Sequence, residues 1–236
     1  MTTDLLLYTA STMNGWKPVI FLEEAQIPYD LRPIDFDRQE QKSEWYLKLN
    51  PNGRIPTLVD RGNDDFVVFE SGAILWYLAE KYGRFLSSDP AVRSETLQWL
   101  MFQHGGLGPM MGQAMYFQRI AQPNGQNSPF SIQRYVKESR RLLEVLNSRL
   151  DGRAYLAGDC YSIADMATYP WAKCHYWAKV SVDGLTHLQR WLTRLDERPL
   201  TQKALCIPEP FPAFYGQGEI DSSIAQNASR FKQTGE

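Results

Sequence analysis

The stretch 9-TASTMNG-15 gathers the hydroxyls of Ser11 and Thr12 and the amide of Asn14 between an apolar run, Leu5 to Tyr8, and a helical pattern that begins near Lys17. A helix N-terminus presents unpaired N–H groups and the positive end of the helix dipole, so it favours an anion. A thiol held there loses its proton more easily, and the thiolate is the nucleophilic form. A hydroxyl or amide donor adds a hydrogen bond made to the charged form. The same residues can instead cap the helix and shape the turn, and both uses share one geometry. A second place of this kind is 69-FESG-72, where Ser71 opens a helical pattern and Glu70 sets a negative charge beside it. That pair suits a carboxylate and an ammonium carried by one small molecule.

These residues need elements to hold them. Leu5 to Thr9 reads as a buried strand and Lys17 to Ala25 as a helix, with Pro18 tolerated in its first turn. Tyr29 to Asp35 reads as a second strand, and Glu44 to Leu49 as a short helix closed by Asn50-Pro51. Thr57 to Asp60 and Phe66 to Phe69 form a hairpin around 61-RGND-64. Ser71 to Tyr82 is a helix ended by Gly83. The order βαβ, short helix, ββα fills residues 1–84. Arg84 to Pro90 is a linker, and residues 91–212 read as helical almost throughout. Val92 to Met101 begins a helix that 104-HGGLGPMMGQ-113 should kink. Ser128-Pro129 starts a helix with apolar positions from Ile132 to Leu150, and 162-SIAD-165 has the capping-box form. Asp183 to Arg198 supplies another helix, and residues 213–236 are a polar tail.

The chain has 236 residues, a hydrophobic fraction of 43% and a net charge of −2, which fits a globular protein with no bulk attraction to nucleic acid. No apolar run is long enough for a membrane span, and the start MTTDLLLYTA lacks a signal-peptide pattern. Cys160, Cys174 and Cys206 are odd in number and show no metal-ligand spacing. The expectation is a cytoplasmic protein with reduced thiols, no metal, no nucleic-acid partner and no membrane partner.

With 50-NPNGRIPTLVD-60, 69-FESGAILWYLAEKYG-83 and 162-SIAD-165 in this order, the chain resembles the cytosolic glutathione transferases over about residues 4 to 205. Within that superfamily 12-TMNG-15, 54-RIP-56, 98-QWLMFQHGGLGPMMGQ-113 and 155-YLAGDCYSIAD-165 resemble the Nu class and its fungal nitrogen-regulator relatives. Met13 stands where those relatives often carry proline, and the tail beyond Pro212 is outside the shared pattern.

The resemblance implies a thioredoxin-like α/β N-terminal domain (βαβ-ββα), an all-α C-terminal domain and a homodimer. It implies a glutathione-dependent disulfide-bond oxidoreductase that uses bound glutathione, a co-substrate, and no protein cysteine. Thr12 and Asn14 match the positions that contact the glutathione sulfur. Glu70 and Ser71 would hold the γ-glutamyl group, and a cis Ile55–Pro56 bond would offer the Ile55 backbone to the cysteinyl unit. Gln41 and Arg54 are candidates for the glycyl carboxylate, and Arg134 for a glutathione bound to the partner subunit. Met110, Met111, Tyr116, Phe117, Trp171 and His175 are candidate walls of a second-substrate pocket for a disulfide or electrophile, although a Met-aromatic stripe is more often plain core.

Alternatives stand beside this reading. Singly, Pro56 reads as well as a strand-edge proline, Ser71 as an N-cap and Glu70 as a surface charge. Tyr8 and Ser11 are rival sulfur ligands, whereas the absence of cysteine from the first 159 residues argues against a cysteine mechanism. A conventional transferase conjugating apolar electrophiles and a non-catalytic glutathione-binding regulatory module are the competing functions.

Overall fold

The computed structural model describes residues 3–210 and forms two compact units. One runs to Ser88 and takes in the stretch from Asp196; the other is Asp89–Leu195. In the first, β1 (Leu5–Thr9), α1 (Trp16–Ala25), β2 (Asp30–Pro33), α2 (Glu44–Leu49), β3 (Thr57–Asp60), β4 (Phe66–Phe69) and α3 (Ser71–Tyr82) follow one another. The sheet order is β2-β1-β3-β4, with β1 parallel to β2 and antiparallel to β3, and β3 antiparallel to β4. This is the thioredoxin-like βαβ-ββα arrangement expected from the sequence.

β1 is central, which explains its near-continuous apolar run: Leu5 and Leu7 are fully buried. Leu7 lies opposite Leu31 on one side and Leu58 on the other. β2 is shorter than the expected 29–35 stretch. It lies at the sheet edge and ends at Pro33, whose missing N–H suits an edge position. α3 ends where Gly83 takes a left-handed conformation at φ +61°.

The second unit is helical, with α4 (Pro90–Phe102), α5 (Gly108–Tyr116), α6 (Pro129–Arg149), α7 (Ile163–Lys173) and α8 (Thr186–Asp196). α4 starts two residues before the expected Val92, because the Asp89 carboxylate accepts from the N–H groups of Ala91 and Val92 and Pro90 takes the first turn. The glycine-rich run forms a π-helical turn, Gln103–Leu107, and leads into α5. Its later glycines have a packing reason: a Cβ on Gly108 or Gly112 would lie 3.5 Å from the Trp171 ring.

At the start of α7 the capping box is present, and the fully buried Asp165 is its hub. Its carboxylate accepts from Leu156 N (3.0 Å), Ser162 N (3.1 Å), Ser162 Oγ (3.0 Å) and Trp191 Nε1 (2.9 Å). Burial pushes its pKa up to about 6 against these four bonds, each of which favours the carboxylate.

The expected helix Asp183–Arg198 divides. Gly184 at φ +77° keeps the chain in a turn until Thr186, and α8 ends at Asp196. A further short helix, α9 (Pro199–Ala204), begins at Pro199, since proline serves as a first helical residue as readily as it stops a preceding helix. α9 packs against α1 within the first unit. The Arg198 guanidinium spans both oxygens of Glu24 at 2.9 and 2.6 Å, Thr201 Oγ1 donates to Glu24 at 2.6 Å, and Lys203 pairs with Glu23. The helical run expected over 91–212 therefore contributes its last stretch to the first unit. The expected tail, 213–236, lies outside the described residues.

Candidate active site

The turn between β1 and α1 is built around Gly15. A Cβ there would fall 2.0 Å from the Ala10 carbonyl and 2.7 Å from Thr9 Oγ1, so only glycine fits. Thr9 Oγ1 donates to the Gly15 carbonyl at 3.0 Å from a fully buried position. Gly15 is the N-cap of α1 and has no side chain with which to cap. Thr12 supplies part of what a capping side chain would give, since its Oγ1 accepts from Gly15 N–H at 3.0 Å. An oxygen that accepts in this way directs its own proton elsewhere, which suits donation to an anion. Thr12 and Asn14 are both half-buried in this turn, so capping and a donor's role coexist in Thr12.

At the start of α3, Glu70 is the N-cap with φ 71° and ψ 119°, a conformation that costs a non-glycine residue. Its side chain is exposed, and its carboxylate accepts from Asn52 Nδ2 at 3.1 Å. Ser71, at 4% exposure, opens the helix. Lys17 Nζ donates to Ser71 Oγ at 3.3 Å, and this lysine is fully buried. Burial drives its pKa well below the ordinary lysine value, with the Glu70 carboxylate opposing the shift. Reasoning from sequence misses Lys17. Its signal is a lysine between Trp16 and Pro18 in the first turn of an otherwise apolar helix, directly after the candidate turn.

The Ile55–Pro56 peptide is cis. The Arg54 carbonyl before it accepts from Tyr46 Oη at 2.9 Å and Asn50 Nδ2 at 2.6 Å, which fixes this loop from below. The Arg54 side chain is exposed. Gln41 sits in the 3-10 turn Glu40–Lys42 at 4% exposure, and its buried Oε1 has no partner among the described residues. A buried amide left open in this way is what a ligand's polar group would satisfy. Thr12, Asn14, Gln41, Arg54, Ile55, Glu70 and Ser71 all belong to the first unit.

The rival sulfur ligands have other occupations. Tyr8 is 8% exposed within an apolar cluster of Ile34, Phe36, Tyr46 and Val59. Its ring lies 5.8 Å from Trp45 and 6.1 Å from Tyr46, and the Arg32 guanidinium sits 5.6 Å above it. Ser11 donates to the Glu209 carbonyl at 2.6 Å and is 2% exposed. Cys174 is buried, and burial pushes its thiol up to about 12, away from nucleophilic use. Cys160 and Cys206 are exposed, and Cys206 folds into the first unit although it lies far from it in sequence.

In the second unit Arg134 is exposed on α6 and lines a cavity of about 660 Å³ with Met110, Phe130, Lys137 and Arg141. The proposed second-substrate walls are more dispersed than the sequence suggests. Met111 is fully buried, Trp171 packs on the glycines of α5, and Tyr116 stacks edge-on against Phe117. His175 Nδ1 is 2.6 Å from the Val180 carbonyl, and burial lowers its pKa, so it serves as a neutral tie between a 3-10 turn and the following loop. Met111, Trp171 and His175 thus have structural roles that account for them.

Comparison with known proteins agrees with this geometry. The family described as glutathione S-transferase, N-terminal domain, matches residues 3–80, and glutathione S-transferase, C-terminal domain, matches residues 110–199. The disulfide-bond oxidoreductase YfcG of Escherichia coli is 43% identical over 205 residues, covering 84% of this chain and 93% of the relative. A Pseudomonas putida glutathione transferase, solved with one glutathione disulfide bound per subunit, is 42% identical with a TM-score of 0.82, covering 87% of this chain and 92% of the other. A Burkholderia graminis glutathione transferase, solved with two glutathione molecules per subunit, is 40% identical with a TM-score of 0.84, covering 89% and 90%.

Proposed function

The chain belongs to the glutathione S-transferase family, and from that premise we propose that it is a glutathione-dependent disulfide-bond oxidoreductase. The observation that carries the reading is the β1–α1 turn: Thr12 is committed as an acceptor to Gly15 N–H, and its hydroxyl proton is directed to an anion at the N-terminus of α1. That anion is the thiolate of bound glutathione. Ser71 and Glu70 receive the carboxylate and ammonium of its γ-glutamyl group, the Ile55 backbone pairs with its cysteinyl unit, and Gln41 and Arg54 receive its glycyl carboxylate. YfcG, named as a disulfide-bond oxidoreductase, and the relatives solved with glutathione or its disulfide support the choice of ligand.

The chemistry is thiol–disulfide exchange. The bound thiolate attacks one sulfur of a small-molecule disulfide, forms a mixed disulfide and expels the other sulfur as a thiolate. The thiolate of a second glutathione attacks the glutathione sulfur of that mixed disulfide. It releases the remaining substrate thiolate and leaves glutathione disulfide. Two glutathiones are oxidised and one substrate disulfide is reduced. The protein supplies orientation and a lowered thiol pKa, and no cysteine of its own. In this reading the protein is a cytoplasmic homodimer, and Arg134 reaches the glutathione of the partner subunit.

Parallel assays of hydroxyethyl-disulfide reduction and chlorodinitrobenzene conjugation test the function. Disulfide reduction should dominate. Dominant conjugation would favour a conventional transferase, and neither activity a binding module.

A further inference from the structure

A lysine in the first turn of α1 is placed against ordinary preferences. The positive end of a helix dipole favours acids there, and lysine is almost never fully buried without a partner. Lys17 is fully buried, α1 has no acidic residue in its first turn, and the amine reaches Ser71, the first residue of α3. Its ammonium is thus set between two helix N-termini in a dry environment, and all three conditions work against the charge. Methionine has a similar length and would fill this space without that cost.

The charges around Lys17 can be assigned element by element. From α3, Glu70 opposes the shift, while Lys81 lies at the far end of that helix on Asp60, with Glu80 beside it. On the side of α9, Arg198 is taken up by Glu24 and Lys203 by Glu23, about two turns along α1 from Lys17. Glu70 is exposed, so its effect is screened by water. What would stabilise the ammonium fully is an anion at Ser71. Ser71 Oγ accepts from Lys17, so its own proton points away from the amine, the direction from which a carboxylate would come.

We propose that Lys17 is a positioning residue for glutathione: acting through Ser71, its ammonium is the buried counter-charge that the γ-glutamyl carboxylate meets at the N-terminus of α3. The inference rests on the glutathione reading of this site. It has a consequence that a purely structural lysine would lack. Because burial holds Lys17 toward its neutral form in the free protein, arrival of the carboxylate draws a proton onto it. Ligand binding and proton uptake are then coupled.

The test is calorimetric titration of the full chain with S-methylglutathione at pH 7, in phosphate and in Tris, whose ionisation heats differ. The blocked thiol cannot release a proton, so any net uptake belongs to the protein. The wild-type protein should take up a fraction of a proton per ligand. Lys17→Met should abolish the uptake and weaken binding by about tenfold to a hundredfold, the loss of one charge-assisted contact. Its melting temperature without ligand should equal or exceed that of the wild type, because a buried amine has been removed. Binding by the wild-type protein without proton uptake overturns the inference, whether or not the variant folds. So does a Lys17→Met protein with wild-type affinity, or one that melts lower. A wild-type protein that binds no S-methylglutathione overturns instead the glutathione reading itself.

Discussion

The Ser11 hydroxyl donates to the Glu209 carbonyl at 2.6 Å, and the Glu209 N–H returns a longer bond of 3.3 Å to the same oxygen. The chain beyond α9 is thereby fastened to the turn that holds Thr12 and Asn14. Ser11 spends both its proton and a lone pair on this fastening, which leaves it poorly suited to stabilise a sulfur. The α9–α1 ion pairs through Glu23 and Glu24 reinforce the same attachment.

Ser11→Ala should therefore cost about 1 kcal/mol of stability, the net worth of an ordinary hydrogen bond. The pKa of bound glutathione should stay where it was. Denaturant titration reads the first quantity and thiolate absorbance against pH the second. A raised thiol pKa in this variant would return Ser11 to the role of sulfur ligand.

Cysteine-free chemistry is tested directly by replacing Cys160, Cys174 and Cys206 with serine, singly. Cys160→Ser and Cys206→Ser should keep full disulfide reductase activity, since both are exposed and neither enters the proposed exchange. Cys174→Ser should lower stability, because it places a hydroxyl at a fully buried position. Loss of turnover in Cys206→Ser with glutathione binding intact would show that a protein thiol takes part after all.

Glu70→Ala and Ser71→Ala should each weaken glutathione binding by about 1.5–3 kcal/mol, the value of a hydrogen bond to a charged group. The effects differ in kind. Glu70→Ala also removes the acceptor of Asn52 Nδ2, while Ser71→Ala removes the acceptor of Lys17 Nζ. Equilibrium titration with glutathione measures both, and unchanged affinity in both variants would remove the γ-glutamyl site from this place.

Asp165→Ala should be a stability variant. It strands the N–H groups of Leu156 and Ser162 and the indole of Trp191, all in the interior. Leaving buried donors unpaired costs about 1–3 kcal/mol each, so the total should reach about 3 kcal/mol or more. A urea unfolding midpoint lowered to match, with the bound thiol's pKa unmoved, is the expected result. A midpoint equal to that of the wild type would mean that the four bonds do not hold the start of α7.

Local signals make much of this fold legible. β1, β3, β4, α2 and α3 end where expected, because their boundaries are set by nearby residues such as Ser71 and Gly83. The overruns come where a boundary depends on what lies alongside. β2 stops at Pro33 because it is an edge strand, and α8 waits for Thr186 because Gly184 turns the chain. α9 is hidden because Pro199 can end one helix or begin the next. In the site, Thr12 and Ser71 stand at strand–helix junctions that sequence reveals. Lys17 does not, since a helical lysine normally faces water and its burial is set by α3, distant in the chain. The placement of Cys206 in the first unit is hidden for the same reason.

The turn itself supplies the sharpest test. If the proton of Thr12 and the amide of Asn14 are directed to the glutathione sulfur, Thr12→Ala or Asn14→Ala should raise the thiol pKa of bound glutathione. The loss of one hydrogen bond to a charged group, about 1.5–3 kcal/mol, corresponds to roughly one to two pKa units. Affinity for glutathione should change little, because most contacts lie at Ser71, Glu70, Ile55 and Gln41. Turnover at pH 7 should fall with the thiolate fraction and recover in part as pH rises. Thr12→Ala carries a second cost that Asn14→Ala lacks, since it also strands the Gly15 N–H. Tyr8→Phe should leave the titration untouched, because the Tyr8 ring is packed among Trp45, Tyr46 and Arg32. The readout is thiolate absorbance of the bound ligand against pH in all three variants. A titration that moves in Tyr8→Phe and stays fixed in Asn14→Ala would transfer the sulfur to the tyrosine and end the present reading of the turn.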